Sequence, residues 1–213
     1  MSGSTEQLRH QWQELLRTFA VPQALAEKTF EHLVAAYSEP GRFYHTLAHI
    51  ENVLTTIARL TTDAPHPALQ FAAWFHDAVY DTHAKDNEEK SAALARTMLP
   101  QLNIPADIVA TTERLILLTK FHVPDSDGDE EKILVDADLA ILGTTPNEYE
   151  EYAKAIRREY AWVPGAEYRA GRSRNLAEFL KRSRIYHTEE MLAEYEQQAR
   201  RNVAAEISLL TSS

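Results

Sequence analysis

Apolar positions recur every three or four residues along most of this chain, the spacing that gathers them onto one face of a helix. Leu8, Trp12, Leu15 and Phe19 form the first such stripe, and Ser4 with Gln7 ahead of it has the form of a capping box. Pro22 opens a second helix over 22–37, which the breaker Ser38-Glu39-Pro40-Gly41 ends. Ile50, Val53, Leu54 and Ile57 mark the apolar side of a third, over 44–60. Further helices are predicted over 67–79, over 86–99 with acidic residues in its first turn, and over 105–119. The acidic run Pro124-Asp125-Ser126-Asp127-Gly128-Asp129-Glu130-Glu131 suggests a calcium loop. Its glycine stands fourth rather than sixth, however, so it reads as a solvent loop. Helices over 130–142, 147–160, 166–182 and 188–210 complete the chain. The pattern predicts an all-α bundle of about nine or ten helices.

Composition supports this. The 213 residues suit one domain, 1–213, and six glycines are few for a turn-rich β architecture. No run of about 18 apolar residues exists, so no membrane span is expected. Met1-Ser2-Gly3-Ser4-Thr5-Glu6 has neither the basic nor the apolar region of a secretory signal, which implies a cytoplasmic protein. Zero cysteines leave nitrogen and oxygen as the only metal donors. The net charge of -10 argues against general nucleic-acid or anionic-membrane binding. The segment 154–184 is the exception, with nine basic and three acidic residues. Two readings stay open for it: a solvated, salt-bridged helix face, or a wall that binds an anionic substrate.

The chemistry concentrates in two short stretches, Tyr44-His45-Thr46-Leu47-Ala48-His49 and Trp74-Phe75-His76-Asp77. His45 and His49 are four apart, so on a helix both rings leave one face. His76 and Asp77 follow the apolar run Phe71-Ala72-Ala73-Trp74-Phe75, where an uncompensated carboxylate would cost several kcal/mol. A bound cation is the simplest compensation. A lone His-Asp pair means little, and a lone histidine beside apolar residues is more often a hydrogen-bonded core residue. A third element changes this: Asp136 and Asp138 lie within Ile133-Leu134-Val135-Asp136-Ala137-Asp138-Leu139-Ala140-Ile141-Leu142. Being two residues apart on a helix, these acids point about 200° apart, which suits Asp136 to a cap or ion pair rather than to the metal.

The order His, His-Asp, Asp resembles the HD superfamily of metal-dependent phosphohydrolases, and within it the uncharacterised predicted-phosphohydrolase branch. The matching stretches are Arg42-Phe43-Tyr44-His45-Thr46-Leu47-Ala48-His49-Ile50, His76-Asp77-Ala78-Val79-Tyr80-Asp81, Asp86-Asn87-Glu88-Glu89-Lys90-Ser91-Ala92, Asp136-Ala137-Asp138-Leu139-Ala140-Ile141-Leu142-Gly143 and Ile156-Arg157-Arg158-Glu159-Tyr160. The resemblance implies an all-helical fold with a metal-site core over about 40–145 and one or two divalent ions held by His49, His76, Asp77 and Asp138. Tyr44-His45 with the following His49 is similar to a sequence in cyclic-nucleotide phosphodiesterases, where the earlier histidine faces the leaving group; His45 is thereby the candidate proton donor. His122 and Lys120 fall at a helix end where superfamily members often place a histidine near the substrate or a second metal. Glu88 or Asp86 would orient a water, or simply cap the helix they open. Tyr168 and Arg172, in the basic segment, are substrate-side candidates, Arg172 as a phosphate clamp.

This donor set suits Mn, Fe, Co, Ni or Zn, or Mg with water completing its shell. The expected reaction is hydrolysis of a small phosphate ester, a nucleotide above all, by a metal-activated hydroxide, with His45 protonating the departing oxygen. Two alternatives remain: a nucleotide-binding regulatory module without turnover, and a di-iron oxygenase drawing on His83 and His122 as extra ligands. An apolar face on the last helix packs internally or pairs with a second copy as a homodimer.

Overall fold

A computed structural model describes residues 3–61, 66–126 and 128–212. Ten α-helices are seen among them, and no strand: α1 (Gly3–Leu16), α2 (Gln23–Ala36), α3 (Leu47–Leu60), α4 (Pro67–Phe75), α5 (Asn87–Met98), α6 (Ala106–Leu118), α7 (Asp129–Asp138), α8 (Pro146–Glu159), α9 (Gly165–Lys181) and α10 (Glu189–Ser212). The all-α expectation holds. Among the described residues no helix is long and apolar enough to cross a membrane. The side chain of Ser4 and all of Asp127 lie outside the described residues, so the first capping box and part of the acidic loop have no structural counterpart here.

Two apolar clusters organise the helices. The first is centred on Trp12, whose ring meets Phe71 and Trp74 edge-on at 5.9 and 5.5 Å and whose indole N–H donates to the Ala26 carbonyl at 3.0 Å. It gathers α1 to α6. The second, around Tyr149, Leu176, Tyr186, Met191 and Val203, gathers α8 to α10. Helix α7 belongs to both: Ile133, Leu134 and Ala137 pack into the first and Val135 into the second. Its two aspartates therefore sit at the junction.

Three helix ends differ from the sequence expectation by three or more residues, each where tertiary hydrogen bonds fix the flanking backbone in a non-helical course. α3 starts at Leu47 rather than at 44, since the N–H groups of Phe43, Tyr44 and His45 all donate to Glu159 Oε1, at 2.7, 2.7 and 3.0 Å. α4 stops at Phe75 rather than at 79, since the carbonyls of Asp77 and Ala78 accept from the Arg42 guanidinium at 2.6 and 3.1 Å. α7 gives way to a 3-10 segment (Leu139–Gly143), where the Leu139 carbonyl accepts from the Tyr186 hydroxyl and the Leu142 carbonyl from Asn202. Gly143 lets that segment approach α10: a Cβ there would lie 2.6 Å from the Tyr195 side chain and 2.9 Å from its carbonyl oxygen.

Candidate metal centre

The site forms where the first turn of α3, the C-terminal end of α4 and the last residue of α7 meet. His49 Nε2 lies 3.1 Å from His76 Nε2, 3.6 Å from Asp77 Oδ2 and 3.2 Å from Asp138 Oδ1. His76 Nε2 lies 3.2 Å from Asp77 Oδ2 and 3.5 Å from Asp138 Oδ1. These separations are compatible with one coordination shell: donors about 2.1 Å from one ion stand about 3.0 Å apart in an octahedron and about 3.4 Å apart in a tetrahedron. His49, His76 and Asp77 keep their donor atoms within 4.8 Å of one another and could hold a metal ion, with Asp138 meeting the same two nitrogens.

Hydrogen bonding fits this use. His76 Nδ1 sits 2.9 Å from the Ala73 carbonyl, which only accepts, so Nδ1 carries the hydrogen and Nε2 presents its lone pair to the centre. Two imidazole lone pairs facing each other at 3.1 Å require a proton or a cation between them. Burial disfavours the charged form of His49 and lowers its pKa. Burial acts the same way on His76, but the Asp77 and Asp138 carboxylates outweigh it and hold that pKa well above the ordinary value. For both aspartates burial is likewise overcome, first by His76, and their pKa values are depressed. A partly buried pair of carboxylates kept ionised beside two imidazoles could accept a metal ion.

His45 stands beside this cluster, not on the face of α3. Its Nε2 lies 3.9 Å from Asp77 Oδ2, and its Nδ1 is 2.7 Å from Glu159 Oε2. Tyr80 stacks on the ring at 4.1 Å and donates its hydroxyl to the same Glu159 oxygen at 3.0 Å. Burial opposes charge on His45, but Asp77 and then Glu159 outweigh it, so the pKa is raised. Glu159, fully buried, is in turn pulled down to about 2, burial being overcome by His45 and the backbone donors.

A small chamber of about 210 Å³ opens over the donors, lined among others by Asp77, Glu88, Tyr160 and Arg172. Glu88 thus reaches the site, whereas Asp86 pairs with Lys90 at 2.8 Å on the surface. His122 also arrives, Nε2 3.0 Å from Asp138 Oδ2, with its backbone in the left-handed region at φ 49°. Lys120 lines the outer cavity but is bound to Glu89 and to the Lys85 carbonyl. Arg172 reaches both cavities, although Glu206 holds its guanidinium at 2.9 and 3.1 Å. Tyr168 is elsewhere: it walls a groove between α8, α9 and α10, under the Arg157 guanidinium. The four-residue spacing of His45 and His49 does not act through a shared helix. His83 stacks on Trp162 at 3.9 Å, exposed, and takes no part in the cluster. Asp136 turns the other way, accepting from the His187 and Thr188 N–H groups and the Thr188 hydroxyl ahead of α10.

Most of the basic segment is partnered. Lys154 pairs with Glu150 and Glu151, Arg172 with Glu206 and Lys181 with Glu178, while Arg157 and Arg182 donate to carbonyls. The salt-bridged reading of that face describes it better than an anion wall. Two residues central to the geometry were visible only as members of matching stretches: Arg42 and Glu159. For Glu159 a signal existed, since Tyr152, Ile156 and Glu159 share one face of α8 and an acid amid apolar neighbours needs a partner.

No family model matches this chain, and neither the curated proteins nor the solved structures compared with it yield a match.

Proposed function

We propose that the protein is a divalent-metal-dependent phosphohydrolase of the HD type, acting on a small phosphate ester. The convergence of His49, His76, Asp77 and Asp138 from three separate segments, with His45 standing free of the donor set beside them, carries the reading. Three ligands would be enough for binding alone; a separately clamped imidazole at the edge of the cluster is what a hydrolase adds. A divalent ion held by these donors would supply Lewis acidity, polarising a phosphoryl oxygen and acidifying a water. His45, its Nδ1 turned to Glu159, keeps a proton at Nε2 for the departing oxygen. With Asp77 occupied by a cation, Glu159 is the partner that keeps this imidazole charged. Glu88 and Tyr160 line the chamber where a water would be oriented, and His122 steadies the second oxygen of Asp138.

The test is phosphate release from nucleotides and simple esters by protein stripped of metal and reloaded singly with Mn, Fe, Co, Ni, Zn or Mg. Asp77→Ala, verified as folded by circular dichroism, serves beside it. Release that needs metal and falls at least about 100-fold in the variant is expected, since one of few charged donors is gone. Undiminished release by Asp77→Ala, or release from metal-free protein, refutes the reading.

A further inference from the structure

The small chamber over the donors adjoins a larger cavity of about 780 Å³: His45, His122, Asp138, Tyr152 and Arg172 line both. That volume lies within the usual range for a small-molecule site. His45 stands in the shared wall, where a leaving-group oxygen would pass from one chamber to the other. The lining of the larger cavity includes Val123, Leu139, Leu142 and Phe179, with Phe179 set edge-on to His122 at 6.2 Å between ring centres. Four cations also reach it, and each has its partner. Arg172 is held by Glu206, Lys181 by Glu178 at 2.6 Å and Lys120 by Glu89, while Arg182 donates both terminal nitrogens to the carbonyls of Phe121 and His122 at 2.8 Å. A di- or triphosphate chain would find three of these cations already facing a carboxylate and Arg182 committed to two carbonyls, and every ion pair broken for it would leave a carboxylate behind. An uncharged organic group would instead bury apolar surface against the aromatic and aliphatic wall.

From this we infer that the substrate carries one phosphoryl group, seated in the small chamber, on an uncharged and largely apolar or aromatic leaving group that lies against Phe179 in the larger one. The inference rests on the phosphohydrolase reading and names its substrate class.

Phosphonates test it, because their carbon–phosphorus bond is not hydrolysed and binding is read without turnover. Calorimetry on the full chain, with Mn kept in excess, compares phenylphosphonate, methylphosphonate and inorganic tripolyphosphate added as its Mn complex. Phenylphosphonate is expected to bind about tenfold or more tightly than methylphosphonate, as burial of a ring implies. Tripolyphosphate gains nothing over methylphosphonate, and Phe179→Ala brings the phenyl-to-methyl ratio below about threefold. Equal affinity for the two phosphonates in the wild type, or tighter binding of tripolyphosphate, overturns the inference while leaving a phosphoryl site intact. Failure of all three to bind overturns the phosphohydrolase reading and this inference together. The wild-type ratio decides the matter even if the variant folds poorly.

Discussion

Glu159→Gln separates the clamp on His45 from the metal donors, which it does not touch. The wild-type carboxylate accepts three consecutive backbone N–H groups on one oxygen and the His45 ring and Tyr80 hydroxyl on the other, with its side chain fully buried. Its pKa in the folded protein is about 2, against an ordinary 4.5. A depression of that size corresponds to about 3 kcal/mol of stability, a quantity shared with His45 and not to be counted again from the imidazole. Because the folded value lies below the unfolded one, the contribution is present above the unfolded pKa and is lost as pH falls toward the folded one. Glutamine keeps the shape and most acceptors but not the charge, so the variant should be about 2–3 kcal/mol less stable at pH 7. The gap should narrow by about 1 kcal/mol at pH 4, where unfolded wild type begins to bind the proton. Urea unfolding of metal-free protein in chelator, at both pH values, measures it. A variant as stable as wild type at pH 7, or a gap unchanged between pH 7 and pH 4, would refute the role given to this carboxylate.

Two further predictions concern the frame around the site. Ala20 closes the first helical segment with φ 50°, a conformation that an L side chain resists and glycine does not; Ala20→Gly should raise stability by about 0.5–1 kcal/mol in thermal or urea unfolding. Gly143→Ala would drive a methyl into Tyr195 and its carbonyl oxygen, and should lower stability by about 1–3 kcal/mol with a reduced Tm, whereas Gly171→Ala, where nothing lies within 4 Å, should not.

How far this architecture was legible can be judged element by element. Helix positions followed from apolar spacing, because Leu8 and Trp12, or Ile50, Val53, Leu54 and Ile57, are all buried on one side of their helices. The donor set was legible as residue types in order, and His49, His76, Asp77 and Asp138 do converge. The ends of α3, α4 and α7 nearest the site were not legible, and with them went the route by which His45 reaches the cluster. Nothing local in Tyr44-His45-Thr46 forbids helix; the decision is made by Glu159, more than 110 residues away in sequence. Tyr168 lies in a groove away from the chamber, and Lys120 lines the larger cavity already bound to Glu89; neither placement can be read from residue types along a segment.

His45, Asp77 and His122 share a feature that explains why such remote partners are needed. All three lie off the helices, just before α3 or just past the ends of α4 and α6, where backbone groups lose their intrahelical partners. The segment before a helix start presents N–H groups, and here a buried carboxylate, Glu159, takes three of them. The segments after helix ends present carbonyls, and here guanidinium groups take them: Arg42 at Asp77 and Ala78, Arg182 at Phe121 and His122. The sign of each clamp matches the partial charge that the helix terminus leaves exposed. A planar fork suits two neighbouring carbonyls as a single ammonium does not, which accounts for arginine at both helix ends. By this means the chemistry-bearing side chains gain the positional freedom of loops while their backbones are fixed as firmly as helix. The arrangement has a cost, since the Arg42 and Glu159 clamps each bury a charge. That cost is offset only while the loop keeps the geometry that supplies every hydrogen bond. The fold therefore tolerates change at these three segments less than their irregular backbone suggests.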